Sequence, residues 1–265
     1  MDSQFNVELF QKKLSTQWLG RSICYFNELE STNTYVKKMP ADDVEHGMIC
    51  LTDNQTRGRG QYERKWESEN SKNLTFSLVL LPPTSERFHV LTLASALALV
   101  EYLDAVMHRQ HCAHIKWPND VLLNDKKVAG FLAETVFTGN KLDRLVIGIG
   151  LNVNQENFSP ELSGKATSVC LERGESMNRE TMLCDLLGRI EYKYRLWSRR
   201  KSDLLKSINR NIEGYGQWIR VIVNDKMLDD TYKLLGIDES GKLLMLNQDA
   251  GIESFSYEQI RLVVD

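Results

Sequence analysis

None of the five cysteines (Cys24, Cys50, Cys112, Cys170 and Cys184) forms a CxxC pair, and they stand far apart in the chain. An odd, scattered set suggests neither a zinc site nor a disulfide framework. Long hydrophobic runs are missing too. The longest, Val90 to Val100, falls well short of the roughly 20 residues that span a bilayer. The start, MDSQFNVELFQKK, carries acidic residues and no extended apolar stretch, so it does not read as a secretory signal. Charge of one sign is scarce: 33 basic residues face 36 acidic ones, for a formal net charge of -3. Overall charge therefore does not hold the chain to nucleic acid, although a local basic patch is compatible with it. Internal repeats and low-complexity tracts are also lacking. What remains is an ordinary globular composition, 42% hydrophobic and 26% charged over 265 residues, with room for one large domain and one small one. The expectation is a soluble, cytoplasmic protein with no membrane segment.

Hydrophobic spacing predicts a short helix within 5–18, where Val7, Phe10 and Leu14 fall on one face. Strands follow at Ser22–Leu29 and Met48–Asp53, with a helix at Tyr35–Met39 whose start is capped by Ser31, Thr32 and Asn33. Leu74–Leu81 is a strand ended by Pro82-Pro83, and Phe88–Arg109 is the clearest helix. Short strands follow at His114–Trp117, Val121–Leu123, Lys127–Val136 and Leu145–Leu151, with Asn124-Asp125 as a hairpin turn. Arg179–Asn211 reads as helix. After Gly214 the pattern changes to about 50 residues of short alternating segments separated by turns. This divides the chain into an α/β body over 1–213 and a small β-barrel over 214–265.

Four stretches carry chemistry. Gln55-Thr56-Arg57-Gly58-Arg59-Gly60-Gln61, followed by Arg64-Lys65-Trp66, alternates glycines with arginines. Such a loop brings backbone and guanidinium groups close to the phosphates of a nucleotide, and equally describes a solvated basic loop or an RGG-like nucleic-acid contact. It lacks the GxxxxGK[ST] spacing of a P-loop. Lys116-Trp117-Pro118-Asn119-Asp120 is a rigid turn that either offers oxygen ligands to a metal-bound nucleotide or merely ends a strand. Lys126-Lys127-Val128-Ala129-Gly130 leads into a buried strand. Lys127, the nearer of the two lysines, either serves as a fixed point charge or is a surface hairpin lysine. Gly148-Ile149-Gly150-Leu151-Asn152 places glycines inside a strand, where something approaches closely or where strands simply pack.

In order and spacing these stretches, with Glu30-Ser31-Thr32-Asn33 upstream, resemble the biotin protein ligases from about Leu19 to Val153. The resemblance implies an α+β fold: a mixed β-sheet flanked by helices, like class II aminoacyl-tRNA synthetases and biotin synthetases, with a small C-terminal SH3-like barrel. It implies that Ser31, Thr32 and Gln55 hold the polar end of biotin, with Asn33 also in the biotin site. Gly58, Arg59, Gly60, Gln61, Trp66, Lys127 and Gly130 would complete the biotin site. Arg64, Lys116, Asn119, Asp120, Asn152 and the run Ala166-Thr167-Ser168 would surround ATP. Lys127, Arg59 and Arg64 would be catalytic, and Asp120 and Asn152 would face Mg²⁺. The expected partner is a biotin carboxyl carrier domain of a carboxylase, without DNA or membrane, and a homodimer is compatible with the sequence. One departure stands out: family members often carry arginine at the place of Gln61 and glycine at that of Glu63. Rival readings are a lipoate ligase on the related fold, a DNA-binding repressor, and a nucleotide-binding module without catalysis.

Overall fold

The computed structural model describes residues 4–60, 65–82, 88–199, 202–223, 226–256 and 260–263. A seven-stranded sheet dominates it, in the order β1-β2-β3-β7-β6-β5-β4. These strands are β1 Ile23–Leu29, β2 Ile49–Gln55, β3 Leu74–Leu80, β4 Ala113–Lys116, β5 Asp120–Leu123, β6 Lys126–Thr138 and β7 Lys141–Leu151. Only β1 and β2 pair in parallel, so the sheet is mixed.

Strand alternation sorts the side chains into two layers. Ile49, Leu51, Leu74, Phe76, Leu78, Ile147, Ile149 and Leu151 join the large core. That core is closed by helices α3 (Phe88–Val106) and α5 (Arg179–Ser198), which pack on each other. The intervening residues Met48, Cys50, Val79 and Val146 form a smaller cluster under α2 (Thr32–Lys38) with Val36. Further along the same face small groups recur: Thr75 and Ser77 on β3, Gly148 and Gly150 on β7, Gly130 on β6. Large residues seat α2, and the small ones beyond it leave space.

The remaining elements differ from the sequence reading in instructive ways. The first helix, α1, is only Val7–Lys13, because Leu14 already has extended backbone. Helix α2 starts at Thr32 with Ser31 as its N-cap, its oxygen accepting from Thr34 N–H. Helix α3 is buried on nearly all sides, and by length and composition it is apolar enough to cross a membrane. It is instead mostly enclosed by the protein. The predicted long helix from Arg179 to Asn211 is two helices, α5 and α6 (Ser202–Arg210). A short helix α4, Val169–Arg173, was not expected. Asn124 and Asp125 both have positive φ, as the tight hairpin between β5 and β6 requires.

The C-terminal part is a curled antiparallel half-barrel built from β8 (Trp218–Val223), β9 (Lys226–Met227), β10 (Tyr232–Ile237), β11 (Leu243–Leu246), β12 (Ile252–Phe255) and β13 (Ile260–Val263). Its buried Ile219, Val221, Leu234 and Met245 belong to the same core as the main sheet, with Leu204 and Ile208 of α6 among them.

Candidate active site

A cavity of about 530 Å³ opens over the small-residue face, within the size range of ligand sites. Ser31, Thr32, Asn33, Gln55, Arg59, Gly60, Trp66, Lys116, Asn119, Asp120, Lys127, Gly130, Asn152 and Ala166 all line it. The four sequence stretches thus meet at one place. Gly58 does not line the cavity; it lies under Trp66, where a Cβ would sit 2.8 Å from the Trp66 carbonyl oxygen. Thr167 and Ser168 are buried and structural: Thr167 Oγ1 donates to Glu172 Oε1 at 2.6 Å, and Ser168 caps α4. Gln61 and Arg64, and the Glu63 departure with them, lie outside the described residues.

Asn33 and Trp66 explain the two glycines of β7. A Cβ at Gly148 would lie 2.5 Å from Asn33 Oδ1, and one at Gly150 would lie 2.3 Å from the Trp66 indole. Neither glycine can therefore carry a side chain while those groups stay in place. Asn33 Nδ2 donates to the Leu132 carbonyl at 3.1 Å and to Glu134 Oε2 at 2.9 Å. Ser77 Oγ lies 2.6 Å from Asn33 Oδ1 and 2.7 Å from Thr32 Oγ1, and Thr32 N–H donates to Gln55 Oε1 at 2.8 Å. This wall is polar, buried and fixed by its own hydrogen bonds.

Lys127 reaches the cavity because the strand is irregular. Val121 faces Ala129 and Leu122 faces Lys127, so Val128 is an extra residue in β6. Regular alternation would put Lys127 on the opposite face from Gly130; the bulge returns it to the same one. Its Nζ lies 2.8 Å from Asp120 Oδ1 and 5.8 Å from the centre of the Trp66 ring. The Asp120 contact is an ion pair rather than a well-aligned hydrogen bond, since that buried oxygen has no bond of good geometry. Lys126, its neighbour, is exposed.

The segment from Ala166 is laced to this bulge. Lys127 N–H donates to the Lys165 carbonyl and Thr167 N–H to the Lys127 carbonyl, both at 2.9 Å. Asn152 Nδ2 donates to the Thr167 carbonyl at 3.0 Å, leaving its Oδ1 buried and unpartnered at the cavity wall. Among the described residues no three His, Cys, Asp or Glu side chains cluster as a self-sufficient metal site. One carboxylate (Asp120) and one unpartnered amide oxygen (Asn152) nevertheless suit Mg²⁺, which takes few protein ligands when phosphates supply the others.

Three groups of contributors were not singled out from the sequence. Thr75 and Ser77 line or fix the cavity floor; they are the polar alternates of an otherwise apolar strand, which was a readable signal. Glu134, a lone acid in an apolar strand, binds Lys37, Asn33 and Arg59. Burial raises its carboxyl pKa, but the hydrogen bonds from Lys37 and Asn33 and the charges of Lys37 and Arg59 outweigh that and hold it below the usual value. Ile260, Arg261 and Leu262 of the half-barrel close one side of the cavity.

Comparison with known proteins fits this arrangement. The model of the "Biotin/lipoate A/B protein ligase family" matches residues 25–152. The "Bifunctional ligase/repressor BirA" of Bacillus subtilis is 32% identical over 254 residues, which cover 94% of this chain and 76% of that protein. The biotin protein ligase of Aquifex aeolicus, solved in complex with biotin and ATP, superposes with a TM-score of 0.79 at 28% identity, covering 92% of this chain and all of that one. The chain belongs to the biotin protein ligase family. The "Biotin--[acetyl-CoA-carboxylase] ligase" of Paracoccus denitrificans is also similar, 34% identical over 163 residues that span 60% of this ligase and 67% of that protein. In this ligase, then, the glycines of β7 and the bulge of β6 shape the cavity.

Proposed function

We propose that this ligase condenses biotin with ATP to biotinyl-AMP and then passes the biotin to one lysine of a biotin carboxyl carrier domain. The observation that carries this reading is the order of groups along one cavity wall. Asn33 stands over Gly148 and Trp66 over Gly150, and Asn152 follows on the same strand end, with Lys127 beside the indole. A neutral polar ring fits the hydroxyl and amide end by Ser31, Thr32 and Gln55. A nucleotide fits the end with Lys116, Asn119, Asp120, Asn152 and Ala166.

In the first half-reaction the biotin carboxylate attacks the α-phosphorus of ATP and pyrophosphate leaves. Both reactants are anionic, and Lys127 stands at the junction of the two subsites as a fixed cation that relieves their repulsion. Asp120 holds the Lys127 ammonium in place, and Trp66 covers it. Arg59, and Arg64 by its position in the sequence, add positive charge for carboxylate and phosphate. Mg²⁺ entering with ATP would be held by Asp120 and Asn152 and would neutralise phosphate charge. In the second half-reaction a carrier lysine amine attacks the biotinyl carbonyl and AMP leaves. The chain supplies no thiol for this step: no cysteine lines the cavity, and burial pushes the thiols of Cys112 and Cys184 up to about 11.

Incubation with biotin, ATP, Mg²⁺ and a recombinant biotin carboxyl carrier domain tests the transfer. Mass spectrometry should show one biotinyl adduct on a single lysine. An unmodified domain, across a panel of carriers, contradicts the reading.

A further inference from the structure

Glu134 has no part in the reaction as described above, yet it gathers three side chains from two segments, helix α2 and the Arg59 loop. It lies on β6 on the same face as Gly130 and Leu132, beside α2, and its side chain is only 19% exposed. Lys37 Nζ donates to its Oε1 at 2.7 Å and Asn33 Nδ2 to its Oε2 at 2.9 Å. Arg59 Nη2 lies 3.3 Å from Oε2 and 3.5 Å from Oε1, and donates also to Thr34 Oγ1 at 3.1 Å. One nitrogen of the guanidinium is thus anchored, while Arg59 itself lines the cavity.

Exposed ion pairs usually contribute little, because two long side chains must be ordered in high dielectric. This group differs in having a fixed base. Asn33 is 4% exposed and locked over Gly148 by Ser77 and the Leu132 carbonyl, so the carboxylate it holds cannot drift. The charge pattern points the same way. Lys37 and Arg59 are two cations on one carboxylate, and without it their repulsion would drive Arg59 off its present line.

We propose that Glu134 is a positioning residue for biotin activation: it fixes one edge of the Arg59 guanidinium so that the rest is presented to the anions in the cavity. Through Asn33 that direction is tied to the wall on which biotin sits. The proposal rests on the role given to Arg59, and the two can be separated.

The test is a double-mutant cycle on the full chain, read as single-turnover adenylate formation from biotin and ATP. Arg59→Ala should slow it by about 10²–10³, the usual loss for one electrostatic donor. Glu134→Gln should slow it by about tenfold to a hundredfold, as misplacement of a catalytic group does. The double variant should be no slower than Arg59→Ala alone, because both changes remove one function. Glu134→Asp should recover part of the loss. Thr34→Val, which leaves Lys37 and Asn33 untouched, should show a smaller loss that also vanishes in the Arg59→Ala background; it keeps the test open if Glu134→Gln folds poorly. Losses that multiply, or a normal rate for Glu134→Gln beside a slow Arg59→Ala, overturn the proposal. A normal rate for Arg59→Ala instead removes the role of Arg59, and this proposal with it.

Discussion

Lys127 and Lys126 are neighbours with opposite fates, and the difference is one inserted residue. The bulge at Val128 turns Lys127 toward Asp120 and Trp66, while Lys126 stays in solvent. Lys127→Ala should therefore reduce adenylate formation by about 10²–10³ with a native-like melting profile. Lys126→Ala should change stability by less than about 0.5 kcal/mol and leave the rate alone. Single-turnover kinetics on both variants, with thermal unfolding alongside, decides this; the reverse pattern would mean that the bulge lies elsewhere. The sequence favours Lys127 for its nearness to Val128-Ala129-Gly130, and Lys127 is the one of the two that lines the cavity, but plain strand alternation would not put it there. Counting back from Gly130 by twos selects Lys126, and only the inserted residue restores Lys127. Gly148 and Gly150 were legible as places of close approach. That the approaching groups are Asn33 and Trp66 was not, since both come from distant segments.

Helix α2 is short, only Thr32–Lys38, and it carries part of the cavity wall, so something must hold it. Its N-terminus is capped by Ser31, a feature written in the sequence. Its C-terminus is held by a side chain the sequence did not reveal: Arg144 of β7 donates from Nη1 to the Val36 and Met39 carbonyls, both at 3.0 Å. Arg144 is 3% exposed, and its Nε pairs with Asp143 at 2.6 Å. Arg144→Met would leave two helix-end carbonyls without that donor, and should cost about 1–3 kcal/mol. Denaturant unfolding should show that loss, together with weaker biotin binding by calorimetry; unchanged stability would mean that α2 is held by its apolar cluster alone. Strand and helix positions were otherwise largely readable from periodicity. The misses have local causes: Leu14 turns extended, the helical pattern from Arg179 divides into two helices, and α4 is too short to show a period.

The chain divides on paper at residue 213, yet the cavity does not respect that division. Ile260, Arg261 and Leu262 of β13 complete its wall, and the half-barrel shares one core with the main sheet. Alternating short segments announce a β unit but say nothing about which of its strands turns toward a distant site, so this contribution was invisible in the sequence. The convergence of four motif stretches on one cavity was visible only through their resemblance to a family, since each alone had a plain structural alternative. The central claim is that this cavity joins biotin to ATP. Pyrophosphate release on mixing the full chain with ATP, Mg²⁺ and biotin measures it most directly, with lipoate in place of biotin as the comparison. The expected result is a burst of about one pyrophosphate per chain that requires biotin, is not produced by lipoate, and is lost in Lys127→Ala. Release that ignores biotin, or that lipoate supports equally well, would contradict it.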